Sequence, residues 1–173
     1  MPFDHARNQA CMACLEGGFS HILSIDTDVI APSDAVTRLL AHNLPVVSAV
    51  YCRRSPPHGV PVAIRNGSWV TNLPQKGLIE VDVVGAGFLL IHRTVLEQMK
   101  PQRPGHHWFD WRVHMRGIMP DHMCLSEDFT FSVAVKEQLG IKTMVDCGIR
   151  CRHVGFFECT YGDARPLNTT PMT

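Results

Sequence analysis

Apolar positions along this chain fall into short solid runs and longer helical patterns, punctuated by Gly and Pro. The run His21–Ile25 (HILSI) is short, largely apolar and closed by Asp26, the pattern of a buried parallel strand whose carboxyl end carries chemistry. Before it, residues 6–15 set Ala6, Ala10, Cys11, Ala13, Cys14 and Leu15 on roughly one helical face, and Gly17 and Gly18 stop that helix. After Pro32, Ser33 can cap a helix with Val36, Leu39 and Leu40 turned inward, and Pro45 separates it from a second buried strand over 46–51. Residues 60–65 and 68–71 predict an antiparallel hairpin around Asn66 and Gly67, a favoured two-residue turn. Strands are expected over 80–84 and 87–91, with Gly85 and Gly87 marking close backbone approach, then a helix over 93–99. Ser126 begins a helix that carries Glu127 and Asp128 in its first turn and ends at Gly140. Strands over 141–145 and 150–154 follow. Residues 101–120 lack a clean period and read as a long loop, a candidate lid, and residues 160–173 as a flexible polar tail.

Composition narrows the options. A chain of 173 residues with 45% hydrophobic and 18% charged residues suits one domain spanning 1–173. Sixteen Lys plus Arg against sixteen Asp plus Glu leave no net charge, so the basic field of a general nucleic-acid binder is missing. The longest apolar run, 83–91, is broken by glycines and falls far short of the roughly 20 residues of a membrane span. Acidic Asp4 and the lack of an apolar core near the N-terminus predict a cytoplasmic protein. Seven cysteines, an odd number, predict free thiols.

The sharpest chemical signal is Asp26, Thr27 and Asp28 directly after the HILSI strand. Residues two apart in extended chain face the same way, so both carboxylates can enter one crevice and invite a hard divalent cation; the alternative is a solvated turn. Glu127 and Asp128 at a helix start form a second acidic pair, equally explained by the helix dipole. His153, in RCRHVG, is a third candidate, able to complete an Asp-bound metal site or to be structural. A rival reading uses Cys11, Cys14, Cys147, Cys151, His153 and Cys159 as a structural zinc site, although their spacing is poor. The segment His106, His107, Trp108, Phe109, Asp110 and Trp111 could stack on a sugar or plug the core. Arg53 and Arg54 could meet a diphosphate or be solvated.

Taken in order, the DTD strand, VGAGFLLIHRTVLE, SEDFTFSVAVKEQLG and RCRHVG resemble the GT-A fold glycosyltransferases, in particular the large family 2 group, over residues 6–155. The resemblance implies an α/β fold: a GT-A-like, Rossmann-like mixed sheet flanked by helices. With only 20 residues ahead of His21, the usual first βαβ unit that holds the nucleobase is expected to be lacking. The uncovered sheet edge then predicts a homo-oligomer. The resemblance further implies transfer of a sugar from a UDP- or GDP-sugar donor to an unread acceptor, with Mn²⁺ or Mg²⁺ held by Asp26, Asp28 and His153. Thr27 lies within that motif. Gly85, Ala86 and Gly87 would line the donor and acceptor cleft, and Asp128, with Glu127 as neighbour and substitute, would be the base. A strand ending in DxD is also similar to the haloacid-dehalogenase-like phosphatases, in which Asp26 would be the nucleophile; their lysine would have to be Lys136 or Lys142, which stand in the wrong order.

Overall fold

The computed structural model describes residues 3–54, 59–101, 107–111, 125–155 and 157–166. In chain order the elements are α1 (Phe3–Glu16), β1 (His21–Ile25), β2 (Val29–Ile30), α2 (Ala35–Ala41), β3 (Val46–Val50), β4 (Ala63–Arg65), β5 (Ser68–Trp69) and β6 (Leu78–Val81). They continue with β7 (Val83–Val84), β8 (Phe88–His92), α3 (Arg93–Gln98), α4 (Glu127–Leu139), β9 (Thr143–Arg150), β10 (Arg152–Val154), β11 (Phe157–Thr160) and β12 (Asp163–Pro166).

The central sheet has the order β1-β8-β3-β9-β6, with β3 and β9 parallel and the remaining neighbours antiparallel. It is a mixed sheet flanked by helices, as expected of a Rossmann-like α/β fold. In β3 (VVSAV) all five residues are buried, and its one polar residue, Ser48, donates its hydroxyl to the Phe88 carbonyl at 3.0 Å. Val46 and Val50, with Leu89 and Ile91 of β8, pack on one face against Cys11, Leu96 and Phe131. Val47 and Ala49, with Phe88 and Leu90, pack on the other against Ala35 and Leu39 of α2. A strand covered on both faces has no polar side to present. Each large side chain buried in this way contributes roughly 1.5–3 kcal/mol.

Several expectations are corrected. β1 is not an interior parallel strand; it ends the sheet, pairs antiparallel with β8 and is only half-buried. The buried face of α1 is Asp4, Asn8, Cys11 and Cys14, whereas Ala6, Ala10 and Ala13 are exposed. The reason is Asn8. Its side-chain oxygen accepts from the Trp108 and Phe109 amides at 3.0 Å each, and its amide donates to the Phe109 carbonyl at 2.8 Å. Segment 107–111 is thereby fixed on the helix, with Trp108 donating to the Leu96 carbonyl and Phe109 stacked on Phe131 at 4.6 Å. Trp108 and Phe109 are thus a core plug; the rest of the candidate lid, 102–106 and 112–120, lies outside the described residues.

In α2 the inward positions are Ala35 and Leu39, while Val36 and Leu40 stay partly exposed, and the N-cap is Asp34 instead of Ser33. The 80–84 strand divides between β6 and β7, which join different sheets. The hairpin forms as expected, β4 against β5, with Asn66 and Gly67 both at positive φ, the geometry that matches strand twist. The tail continues to Pro166 as β11 paired with β12, and 167–173 lies outside the described residues.

Candidate functional site

β1 delivers Asp26 to the end of the sheet, where its amide donates to the Gly87 carbonyl at 3.0 Å. The Val29 amide donates back to the Asp26 carbonyl at 3.0 Å, closing a turn that turns the chain into β2. β2 pairs with β10 so that His153 stands opposite Val29, and the Val154 amide donates to the Asp28 carbonyl at 2.8 Å. This short ladder brings together residues more than a hundred positions apart: His153 Nε2 lies 3.3 Å from Asp28 Oδ1. The Cys52 carbonyl, 2.6 Å from His153 Nδ1, can only accept, so Nδ1 carries a proton. Arg54 closes on Asp28 from the solvent side, Nη1 to Oδ2 at 2.6 Å.

Asp26 turns to a different partner. Arg7, from α1, reaches Asp26 Oδ1 at 3.1 Å and Glu127 Oε1 at 3.2 Å, donates to the Ala86 carbonyl at 3.2 Å and also donates to Ser24 Oγ. Burial alone would lower the guanidinium's pKa; Asp26, Glu127 and Asp128 outweigh that and raise it. Burial, then the charge of Asp128, raises Glu127 above the ordinary carboxylate range, opposed by a backbone hydrogen bond and by Arg7. Asp128 itself serves the backbone: Oδ2 accepts from the Ala86 amide at 3.2 Å, and Oδ1 accepts from the Phe129 amide at 2.8 Å and from Ser126 Oγ. Ser126 therefore spends its hydroxyl on Asp128, not on a helix amide.

Gly85, Ala86 and Gly87 are buried behind the cleft instead of lining it. Their smallness admits Tyr51. A Cβ on Gly85 would come within 1.8 Å of the Tyr51 hydroxyl, and one on Gly87 would come within 2.7 Å of its ring and 3.1 Å of Asp26 Oδ2. The Tyr51 hydroxyl accepts from the Gly87 amide at 3.0 Å. Burial pushes that phenol well above its ordinary pKa, so it remains protonated.

The open space lies between α1 and the β1 end, a cleft of about 590 Å³. Asp26, Thr27, Asp28, Arg7, Arg54 and His153 form its polar rim, and Phe3, Ala6, Ala10, Ile22 and Ile91 its apolar wall. A volume in this range suits a small organic ligand. The structure thus brings Asp26, Thr27, Asp28 and His153 to one cleft, though not around a metal ion, and places Glu127 behind them through Arg7. Arg7 and Tyr51 were not legible as site residues. The one available hint was a lone arginine in a helix of small residues just ahead of the DTD strand.

The metal expectation is overturned. Among the described residues no group of three or more His, Cys, Asp or Glu side chains is placed to hold a metal ion. Asp26 is engaged by Arg7, and Asp28 is shared by Arg54 and His153, so the cations these carboxylates need are already built into the chain. A Mn²⁺ or Mg²⁺ centre at Asp26, Asp28 and His153 does not fit these residues. Metal-dependent sugar transfer, with Asp128 or Glu127 as base, loses its foundation. The same finding removes the zinc reading: the six described cysteines are buried, and desolvation pushes Cys11, Cys52 and Cys151 up to about 12, far from thiolate ligands. The phosphatase alternative lacks its lysine, because Lys136 pairs with Asp82 and Lys142 with Glu80, each at 2.7 Å.

No family model matches the chain, and no curated protein does. Among solved structures it is similar to the crystal structure of A197 from STIV, with a TM-score of 0.63 and 18% identity over 95% of this chain and 75% of that one. At that identity the likeness speaks for the fold alone. No helix among the described residues is long and apolar enough to cross a membrane.

Proposed function

We propose that this chain is a GT-A-like binding domain whose cleft takes a nucleotide-sugar of the UDP or GDP type without a divalent cation. The observation that carries the reading is the cleft itself, which sets acidic acceptors and arginine donors on one rim against an apolar wall on the other. A nucleotide-sugar needs all three features. Its diphosphate asks for a planar, fork-shaped cation, and Arg54, with 55% of its side chain exposed, can swing from Asp28 to a phosphate. Its ribose and sugar hydroxyls donate to carboxylates, and Asp28 and Asp26 present oxygens there. Its base takes the apolar wall between Phe3 and Ile91. Arg7 stays with Asp26 and Glu127 and holds the rim in shape.

The test is calorimetric titration of UDP, GDP and their sugar conjugates into the protein in EDTA, repeated with Arg54→Ala and Asp28→Asn. The reading expects binding in EDTA, weakened about tenfold by Arg54→Ala. Failure of every nucleotide to bind, or equal binding by both variants, would overturn it.

A further inference from the structure

A second cavity, of about 550 Å³, opens on the α2 side of the sheet, lined by residues of α2 and its caps, segment 75–77 and β9. At its floor lies Asp146, a carboxylate only 5% exposed within a strand. Its Oδ1 accepts from the Gly148 amide at 2.8 Å, and its Oδ2 meets His42 Nε2 at 2.8 Å. The pairing of β9 with β3 jumps here from Ala49 opposite Asp146 to Val50 opposite Arg150, so 147–149 bow out of the ladder. A Cβ on Gly148 would stand 2.8 Å from Arg38 Nη2, so glycine lets the guanidinium lie over the strand.

The cations of this cavity are held loosely. Arg38 lies 3.8 Å from Asp34 and 3.7 Å from Asp146, ion-pair distances too long for hydrogen bonds, so its Nη protons remain available to a ligand. Lys76 lines the same space and has no ion pair among the described residues. Asp34 stands at the exposed mouth, with 62% of its side chain in solvent, where its charge is screened. Asp146 is answered by His42 and by Arg38, which fixes the imidazole through Nε2 and leaves Nδ1 without a hydrogen-bond partner among the described residues.

We propose that this cavity is a phosphoryl site: it takes the phosphate of a small phosphorylated molecule between Arg38 and Lys76, with His42 positioned beside it by Asp146. A phosphate's terminal oxygens can accept from the Arg38 Nη donors and the Lys76 ammonium at once, while Asp146 keeps His42 and the inner side of Arg38 in place. The site is separate from the β1 cleft and does not rest on the function proposed for it.

Phosphorus-31 NMR and calorimetry with inorganic phosphate and glycerol 3-phosphate test it, with chloride at equal ionic strength as control. The expected result is saturable binding of at least one of them, weakened about fivefold or more by Lys76→Gln and by Gly148→Ala, which displaces Arg38. The tighter of the two ligands tells whether free or esterified phosphate is preferred. Binding no stronger than that of chloride would overturn the proposal, as would affinity untouched by both Lys76→Gln and Gly148→Ala in variants that keep the wild-type circular dichroism.

Discussion

Asp26 and Asp28 stand two positions apart at the end of one strand, yet they live in different surroundings. The carboxylates themselves are similarly exposed, 37% for Asp26 and 29% for Asp28, and the difference lies in their cations: Arg7, with 14% of its side chain exposed, ties Asp26 to Glu127, with 6% exposed. Asp28 is met by His153 and by Arg54, which retains 55% exposure. The same acidic motif therefore performs two jobs. One carboxylate is tied to a buried cation that cannot leave without stranding Glu127; the other is held by an arginine free to change partners. A motif read as a symmetric metal clamp is asymmetric in the fold, and the asymmetry follows from α1 lying against one side of β1 only.

Substitutions can break or sharpen that contrast. Arg7→Met should have the largest effect, because it leaves Glu127 and Asp26 without their counter-ion: about 3–5 kcal/mol of stability, measured by urea unfolding. Adding Glu127→Gln should recover part of the loss, since a neutral amide needs no partner cation. Gly85→Ala should cost about 1–3 kcal/mol by driving a methyl into the Tyr51 hydroxyl, and the cost should shrink when Tyr51→Phe removes that oxygen, a non-additivity visible in a double-mutant cycle. Arg54→Ala, on the exposed side of the comparison, should change stability by less than about 1 kcal/mol while weakening nucleotide binding.

The smallest effect is expected at Lys136→Met, also below about 1 kcal/mol, with a recognisable pH signature. The hydrogen bond from Lys136 is the main cause holding Asp82 below its ordinary value of 3.8. A depressed carboxylate contributes stability above its unfolded pKa and loses it as pH falls through the folded one. Thermal unfolding followed from neutral pH into acid should therefore show the wild type and variant converging below 3.8.

What the sequence made legible follows from local rules. The hairpin at Asn66 and Gly67, the α4 terminus at Gly140 with φ of 65°, and the doubly covered β3 each rest on turn chemistry or on an apolar run. The close approach at Gly85 and Gly87 was legible too, though its partner, Tyr51, was not. The buried face of α1 was misread because Asn8 and Asp4 are buried by a distant segment, 107–111, and hydrophobic periodicity carries no trace of that. β9 was expected to stop at Val145 but runs to Arg150, since its bulge around Gly148 interrupts the apolar pattern without ending the strand. In the site, the family resemblance put Asp28 and His153 around a metal ion, whereas they meet directly, at 3.3 Å. The arginines that neutralise the acids were not legible, because nothing in the spacing of Arg7 or Arg54 reveals which carboxylate each will meet.

The claim that the chain supplies its own cations is tested most directly by one pair of titrations: a UDP-sugar or GDP-sugar into the wild-type protein, in EDTA and in millimolar Mn²⁺. The account predicts the same dissociation constant in both. Binding seen only with Mn²⁺, or strengthened by it tenfold or more, would contradict the account and return Asp26 and Asp28 to the role of metal ligands.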